Sequence, residues 1–141
     1  MAVLGLDVGT KRIGVAVSDP SDTFAIPVGT IERRNLDADL EYILRYVEEY
    51  HADVVVVGDP ITLAGERGIA AEKIDHFVER LEKRLGRRIL RVDERLTTAQ
   101  AIKTLIAADV SRKKRKGAVD KMAAALILES YLARRRMREP E

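Results

Sequence analysis

The sequence predicts an α/β fold, in which a mixed five-stranded sheet carries helices on both faces. Three observations support it. Three β-rich apolar segments open the chain, helical and strand-like segments alternate afterwards, and one later strand is apolar throughout. Consecutive strands favour antiparallel pairing, whereas αβ units favour parallel pairing. We therefore expect the order β-β-β-α-β-α-β-α-α, with three antiparallel strands followed by αβ units.

The first three strands are short and are separated by turn residues. Residues 2–8 form an apolar run that only Asp7 interrupts, and a Gly-containing turn leads into the β-branched segment 13–19. Residues 24–31 predict a third strand, in which Pro27 removes one ladder hydrogen bond. We therefore expect this strand at the sheet edge or with a bulge.

Two amphipathic helices and two further strands follow. Apolar residues at helical spacing predict helices over residues 37–51 and 67–85, the second ending at Gly86. Residues 54–60, VVVVGDP, are typical of a parallel strand that is buried on both faces. Residues 89–92 then predict a short final strand.

The last part of the chain is predicted to contain two helices separated by a basic segment. Thr97 or Thr98 is a suitable N-cap for the first of these helices. Residues 111–117 are expected to form a basic loop, and the final helix is expected from about Val119 to Arg136. Its small residues would let that helix lie close against the sheet.

Length and composition exclude several classes of protein. The chain has 141 residues, 46% of them hydrophobic, which suits one domain over 1–141 with a real core. It has no cysteine, which excludes disulfides, thiolate zinc sites and a cysteine nucleophile. No apolar run approaches the ~18 residues of a membrane span, and the N-terminus lacks a signal-peptide pattern. We therefore expect a soluble, cytoplasmic protein.

The net charge of +2 conceals an asymmetry along the chain. Residues 1–86 carry 10 basic and 16 acidic side chains, whereas residues 87–141 carry 15 basic and 7 acidic ones. Such asymmetry is a hint of contact with nucleic acid. The densest basic run lies four residues before Asp120, which favours phosphate contact over simple solvation. It consists of Arg112, Lys113, Lys114, Arg115 and Lys116.

Three acidic positions are candidates for a functional site. Asp7 interrupts an apolar strand, where a carboxylate is costly unless it is paired or binds a cation. Asp93 and Glu94 leave the end of a strand, where ligands collect in sheets of this type. Because neighbouring strand side chains point to opposite faces, only one of these two is expected in a given site. Asp120 begins the last helix, where the helix dipole alone would also favour an acid.

Acids from three distant segments can converge on one metal centre. Carboxylate oxygens are hard ligands suited to Mg²⁺ or Mn²⁺, and a pair of such ions assists phosphodiester hydrolysis. Lys11 and Arg12 lie in the turn after Asp7, where they could hold a phosphate or remain solvated. The pattern therefore favours metal-dependent chemistry on a phosphodiester.

The motifs together resemble the YqgF (RuvX) family of small ribonuclease H-like proteins. The similarity lies in GLDVGTKRIGVAVSD, VVVVGDP, VDERLTT and VDKMAAALILESYL, which keep the family's order over nearly the whole chain. It implies a ribonuclease H-like fold. It also implies the activity assigned to that family, a nuclease that trims the 5′ end of precursor 16S ribosomal RNA. The family was earlier proposed to resolve Holliday junctions.

The resemblance also implies roles for individual residues. Asp7, Glu94 and Asp120 correspond to the acids that hold the metal ions, Mg²⁺ or Mn²⁺, and carry catalysis. Asp7 would bridge two ions, and Glu94 and Asp120 would each hold one. The residues expected to position phosphates of the nucleic acid are Lys11, Arg12, Arg95, Arg112, Lys113, Lys114, Arg115 and Lys116.

Two segments depart from the family's pattern. Residues 58–65 are GDPITLAG, where the family has a sequence close to GLPLNMDG, and Asp59 is a candidate substitute for the missing polar residues. Junction resolvases of this fold usually carry an acid or histidine about three residues after the helix aspartate, whereas position 123 is alanine. This difference weakens the resolvase interpretation and leaves a site of three carboxylates.

Three functions stay open on the sequence alone. The leading one is a metal-dependent nuclease for structured RNA, which acts on precursor ribosomal RNA and has the small ribosomal subunit as a candidate partner. A Holliday junction resolvase acting on DNA is the second, and paired nicks would normally require a dimer. The third is a non-catalytic RNA-binding factor in ribosome assembly, against which the presence of all three acids argues.

Overall fold

The structure is a computed structural model that describes residues 2–59, 68–93 and 112–138, with the backbone alone at positions 70, 112–120 and 138. These residues form five strands and three helices. The strands are β1 (Ala2–Val8), β2 (Arg12–Ser18), β3 (Ala25–Glu32), β4 (Ala52–Asp59) and β5 (Leu90–Asp93). The helices are α1 (Leu36–Glu49), α2 (Ile69–Leu85) and α3 (Arg112–Arg138).

The five strands form one mixed sheet in the order β3-β2-β1-β4-β5. β1 pairs with β2, and β2 with β3, in antiparallel fashion, whereas β1 pairs with β4, and β4 with β5, in parallel. A parallel pair needs a crossover connection, and the chain supplies α1 before β4 and α2 before β5. The predicted fold class is confirmed.

Pro27 lies in the edge strand β3, as the sequence predicts. Val15 pairs with Gly29 whereas the next residue, Ala16, pairs with Pro27, so the register shifts between them. Val28 is the extra residue of this irregularity. Both expectations for a proline in a strand, an edge position and a bulge, are therefore met at one place.

The sheet separates two apolar cores. On one face, the large side chains of β1, β2 and β4 pack against α1 and α2, as Leu6, Ile43 and Leu81 illustrate. On the other face, Val3 and Val56 belong to a core that α3 completes. Because successive strand residues point to opposite faces, the central strands are apolar along almost their whole length.

The ends of α1 and α2 follow from local side-chain chemistry. Asn35 caps α1, since its side chain accepts a hydrogen bond of 2.9 Å from the amide of Ala38. Gly86 ends α2 in the left-handed region, with φ of 67° and ψ of 26°. Its amide donates to the carbonyl of Glu82 at 2.8 Å. The predicted stop at Gly86 is confirmed.

The predicted loop at 111–117 is wrong for residues 112–117, because their backbone is helical and α3 begins at Arg112. Lysine and arginine are good helix formers, and the one unfavourable residue, Gly117, costs only about 1 kcal/mol relative to alanine. A long helix with a packed C-terminal half can absorb that cost. The basic run is therefore part of the helix that carries Asp120.

Two expectations concern other parts of the chain. The helix predicted to start at Thr97 or Thr98 lies outside the described residues. Among the helices that the structure does describe, none is both long and apolar enough to cross a membrane.

Candidate active site

Asp7 lies near the end of the central strand β1 and is almost completely buried. β1 has β2 on one side and β4 on the other, and Asp7 pairs in register with Gly14 of β2. Only 2% of the residue is exposed. Burial of a carboxylate costs free energy that a partner or a cation has to offset. The middle of the sheet thus holds a strongly hydrophilic group in an otherwise apolar strand.

Alternation along β1 puts Asp7 on the face of the sheet that α3 covers. The side chains of Val3 and Asp7 point to the same face, because an even number of positions separates them along the strand. Val3 belongs to the α3 core, whereas Leu6 belongs to the core of the other face. Gly5 is also on this face, and a Cβ atom there would lie 2.8 Å from the Cβ of Leu128. The helix therefore lies very close to β1, two residues before Asp7.

Glycines surround Asp7 on this face. Gly5 precedes it by two positions, Gly14 is its cross-strand partner, and Gly58 of β4 pairs in register with Val92, a residue of the α3 core. A glycine contributes no side-chain atoms and lets a ligand approach the backbone closely. The residues beside the carboxylate therefore suit a site that an ion or a phosphate oxygen enters.

Small residues bring α3 against the sheet, as the sequence predicts. Ala123, Ala124 and Ala125 are all buried, and the carbonyl oxygen of Ala124 would lie 3.2 Å from a Cβ atom on Gly5. The backbone of Asp120 lies one helical turn before Ala124. The contact between Gly5 and Ala124 thus lies two residues from Asp7 and four residues from Asp120. The side chain of Asp120 is outside the description, so its convergence with Asp7 stays a prediction.

The second acidic motif lies at the end of β5. Asp93 pairs in register with Asp59 of β4 and has the same phase as Arg91, whose Nη2 contacts Oδ1 of Asp75 in α2 at 2.8 Å. Asp93 is therefore assigned to the α2 face, opposite to Asp7. Glu94 lies outside the described residues, and its place beside Asp7 stays a prediction.

Asp59 lies on the face of the sheet opposite to Asp7. Asp59 is two residues after Val57 in β4, so both side chains point to the same face of the sheet. Val57 packs in the core on the α1 and α2 face. Its Oδ1 lies 3.5 Å from Nη1 of Arg91, which also binds Asp75 of α2. The ion pair with Arg91 thus holds Asp59 on the face opposite to Asp7. Its role as a substitute for the polar residues of the segment that follows β4 stays a prediction.

The predicted phosphate-binding residues differ in their surroundings. Lys11 is exposed in the β1–β2 turn. Arg12 donates from Nε to Oε1 of Glu32 at 2.8 Å, so its guanidinium is already shared with a carboxylate. Arg95 lies outside the described residues. Over 112–116 the structure shows only that the backbone is helical.

An ion pair that the sequence does not announce lies next to the turn. Arg33 donates from Nε to Oδ2 of Asp39 at 3.1 Å and from Nη1 to the carbonyl oxygen of Gly9 at 2.8 Å. Asp39 is only 1% exposed. Asp39 lies six positions after Arg33 and Gly9 lies 24 positions before it. No helical or strand periodicity therefore connects the three residues. In the sequence, this ion pair is indicated only by Asp39, an acid in the first turn of α1. Interaction with the helix dipole explains an acid at that place equally well.

The chemistry at Asp7 fits a divalent metal. Within the described side chains, no three residues of histidine, cysteine, aspartate or glutamate group together as ligands. The fit therefore rests on Asp7 itself, a buried hard-oxygen donor flanked by glycines at positions 5 and 14. Mg²⁺ and Mn²⁺ prefer such oxygens. Asp7 is thus suited to hold one of these ions together with donors from other segments.

A perturbed acid at the opposite end of β2 has a structural role. Hydrogen bonds, first from the hydroxyl of Ser21 and then from the amide of Phe24, lower the pKa of Asp19 from 3.8 to about 2. Asp19 follows the last residue of β2, whereas the turn after Asp7 precedes the first. The lowered pKa therefore reflects an ordered β2–β3 turn and not the candidate site.

The sheet order, the buried acid on the central strand and the helix packed closely beside it define an α/β domain of the ribonuclease H-like class. Comparison with known families agrees. Residues 1–134 match the model of the family described as "RuvX: Holliday junction resolvase". The chain belongs to the RuvX family.

Curated relatives match over nearly the full length of both chains. A protein of Heliobacterium modesticaldum is 49% identical over 132 residues, covering 94% of this chain and 89% of its own. A protein of Clostridium tetani is 47% identical over 132 residues, covering 94% and 96%. One from Desulforudis audaxviator is 41% identical over 136 residues, covering 96% of each. All three carry the name "Putative pre-16S rRNA nuclease".

Solved structures share the fold at low sequence identity. The Thermus thermophilus RuvC protein, in complex with a Holliday junction substrate, superposes with a TM-score of 0.60 at 14% identity, covering 96% of this chain and 95% of its own. The fowlpox virus Holliday junction resolvase gives a TM-score of 0.53 at 17% identity, covering 95% and 99%. At these identities the comparison establishes the fold alone.

Proposed function

We propose that this protein is a metal-dependent nuclease that cleaves phosphodiester bonds in structured RNA. Its substrate would be the 5′ end of precursor 16S ribosomal RNA, which it would process in the cytoplasm as one domain spanning 1–141. Membership of the RuvX family and the names of relatives at 41–49% identity support a nuclease. The observation that carries the proposal is the buried carboxylate of Asp7 on the central strand, facing α3 among glycines.

In this proposal, Asp7, Glu94 and Asp120 would hold Mg²⁺ or Mn²⁺. When bound, such ions activate water and stabilise the leaving oxygen in phosphodiester hydrolysis. The burial of Asp7 supports this role, because a rigid strand inside the sheet fixes the direction of the carboxylate. A carboxylate fixed in this way loses little conformational freedom when it binds an ion.

The chain's own cations would orient the RNA backbone. Lys11 is exposed in the turn just after Asp7 and can meet a phosphate directly. Arg12 would contribute less, because Glu32 already binds its guanidinium. The basic run 112–116 continues into the helix segment of Asp120, so its backbone is held in a fixed relation to that acid. We therefore expect RNA binding to weaken steeply with salt.

A DNA junction resolvase is the second candidate function. The description of the matching family favours it. Ala123 argues against it, because this residue is 1% exposed in the α3 core and supplies no fourth ligand where related resolvases carry one. Paired nicks in a four-way junction would also require two active sites in one assembly. The RNA substrate is therefore the better supported of the two.

The test is cleavage by the purified protein with Mg²⁺ or Mn²⁺ on three labelled substrates. These are a 16S precursor RNA with its 5′ extension, an RNA duplex of unrelated sequence, and a four-way DNA junction. We expect metal-dependent cleavage of the precursor RNA and its loss in Asp7→Asn, because a neutral amide is a poor replacement for a carboxylate as a ligand of a divalent ion. The matched control is Asp37→Asn, the same change on a side chain that is 75% exposed on α1.

The outcomes separate the candidate functions. Undiminished cleavage by Asp7→Asn would contradict the role of Asp7. Cleavage of the junction alone would replace the RNA nuclease by a resolvase. Salt-dependent RNA binding without cleavage at any metal concentration would favour a non-catalytic assembly factor, for example one that acts at the small ribosomal subunit.

A further inference from the structure

Arg33 joins the turn that follows Asp7 to the helices on the opposite face of the sheet. Its Nη1 donates to the carbonyl oxygen of Gly9 at 2.8 Å, and its backbone amide donates to the carbonyl oxygen of Lys11 at 2.9 Å. Its Nε donates to Oδ2 of Asp39 in α1 at 3.1 Å. One residue thus holds the turn at two points and is itself anchored on a helix.

The anchor is rigid and largely shielded from solvent. Asp39 is 1% exposed, and its second oxygen accepts the amide of Arg34 at 3.0 Å. The guanidinium carbon of Arg33 lies 5.3 Å from the centre of the Phe77 ring in α2. Charge-assisted bonds to a buried carboxylate are stronger than those between neutral groups. The side chain of Arg33 is therefore fixed by contacts with both helices of that face.

The turn itself has little freedom to adapt. The amide of Gly9 donates to the carbonyl oxygen of Arg12 at 2.8 Å. A Cβ atom on Gly9 would also lie 2.8 Å from that same oxygen, so only glycine fits there. Glu32 holds Arg12 from the edge of the sheet. The segment between Asp7 and β2 is therefore clamped from two sides.

We propose that Arg33 is a positioning residue for the nuclease site: with Asp39 it fixes the β1–β2 turn, and so the direction in which the end of β1 and Lys11 meet the scissile phosphate. This inference rests on the proposed function. Arg33 acts through the backbone of Gly9 and Lys11 and does not itself touch the substrate. An arginine suits the task because its planar fork can donate to a carboxylate and a carbonyl at once.

The test has to separate positioning from simple stabilisation. Arg33→Met alone would leave Asp39 as a buried carboxylate without this partner, which is strongly destabilising. The double variant Arg33→Met with Asp39→Asn removes both charges and keeps an acceptor for the amide of Arg34. The matched control is Arg84→Met, since Arg84 binds Glu41 in α1 at 3.4 Å and the contacts described for it do not include the turn.

The first measurement is amide hydrogen exchange, which does not depend on nuclease activity. In the double variant we expect faster exchange at Gly9, whose amide closes the turn, while the amides of β1 stay protected. Arg84→Met should leave Gly9 unchanged. If the amide of Gly9 is as well protected in the double variant as in the wild type, Arg33 and Asp39 do not fix the β1–β2 turn. This conclusion holds whether or not the protein cleaves RNA.

The second measurement is the kinetics of cleavage of the precursor RNA. For the double variant we expect kcat to fall about 10–100-fold, the range typical of residues that orient metal ligands, with a smaller change in KM. Arg33→Lys should retain part of the activity that the double variant loses, since an ammonium group can replace some of the hydrogen bonds that the guanidinium donates to Asp39 and Gly9. Wild-type kcat in a double variant with a loosened turn would overturn the positioning role. If the wild-type protein does not cleave at all, the proposed function fails and the exchange result still decides the clamp.

Discussion

The two faces of the sheet are built from different residues. On the face of α1 and α2, the core contains large side chains such as Leu4, Leu6 and Phe77. On the face of α3, the helix contributes three buried alanines at 123–125 and the central strand contributes Gly5. The first face holds the two buried leucines of β1, Leu4 and Leu6, and the second face holds the smaller Val3 and the buried acid, Asp7.

This difference shows how one sheet can serve stability and function separately. Large apolar side chains bury the most surface. Each core residue on the α1 and α2 face therefore contributes, on average, more hydrophobic free energy to folding than one on the α3 face. Small residues bury less, but they let a helix backbone approach a strand closely and leave the carboxylate of Asp7 without bulky neighbours at positions 5 and 14. The site is thus on the face with the smaller side chains.

The largest expected effect on stability is at the α1 and α2 face. Leu6 is fully buried in that core. Leu6→Ala should lower the free energy of unfolding by about 2–5 kcal/mol, because it removes buried methyl groups and leaves a cavity. Urea unfolding measures it, with Leu6→Met as the volume-conserving control, for which we expect less than about 1.5 kcal/mol. If Leu6→Ala lowers the free energy of unfolding by less than Leu6→Met does, the α1 and α2 face does not have the stabilising role assigned to it.

The next effect concerns metal binding on the α3 face. A ligand that binds the native state alone stabilises it by about 2.7 kcal/mol at one hundred times its Kd. We therefore expect Mn²⁺ to raise the Tm of the wild-type protein and to have little effect on Asp7→Asn. EDTA should reverse the shift. Asp37→Asn, which changes an exposed acid, should keep it, and an equal shift in Asp7→Asn would exclude Asp7 as a ligand.

A smaller effect tests the close approach of α3 to β1. Gly5→Ala places a Cβ atom 2.8 Å from the Cβ of Leu128 and 3.2 Å from the carbonyl oxygen of Ala124. The helix has to move, which typically costs about 1–3 kcal/mol. Gly68→Ala is the control for an uncrowded methyl group, because nothing lies within 4 Å of a Cβ atom there. Its own cost comes from the replacement of the glycine N-cap of α2. Equal stability of the two variants would show that α3 adapts freely.

The smallest effect lies at the β2–β3 turn, away from both faces. Because hydrogen bonds lower the pKa of Asp19 in the folded state to about 2, its contribution to stability is present above pH 3.8 and is lost as the pH falls towards 2. Asp19→Asn should therefore flatten the pH dependence of Tm in this window. The group is exposed, so the change should be slight and leave RNA cleavage near neutral pH unchanged. A loss of activity would link this turn to the site.

Much of the fold was predictable because its signals are local. The apolar runs of β1 and β4, the glycine that ends α2 and the proline in β3 each act within a few residues of themselves. The start of α3 was not predictable in the same way. A run of like charges that ends in glycine is unfavourable for an isolated helix, and it is helical here as the extension of a helix whose later residues pack on the sheet.

The candidate site was predictable in part. Asp7 stands out in the sequence as an acid in an apolar strand, and the structure buries it on the face of the closely packed helix. Asp59 looks equally suggestive in the sequence, yet Arg91 and the phase of β4 hold it on the other face. Sequence alone does not reveal the face, because that depends on which helix covers each side of the sheet.

The sequence by itself determined the strands, the Asn35 cap of α1, the Gly86 stop of α2 and the presence of an acid at position 7. Periodicity, capping side chains, glycine and proline all act through neighbouring residues. Only the tertiary structure decided that Gly5 meets Leu128, that Asp59 turns away from Asp7 and that Arg33 clamps the turn after it. Each of these contacts joins residues far apart in the chain. Their geometry follows from how the helices pack on the sheet, and no local pattern encodes it.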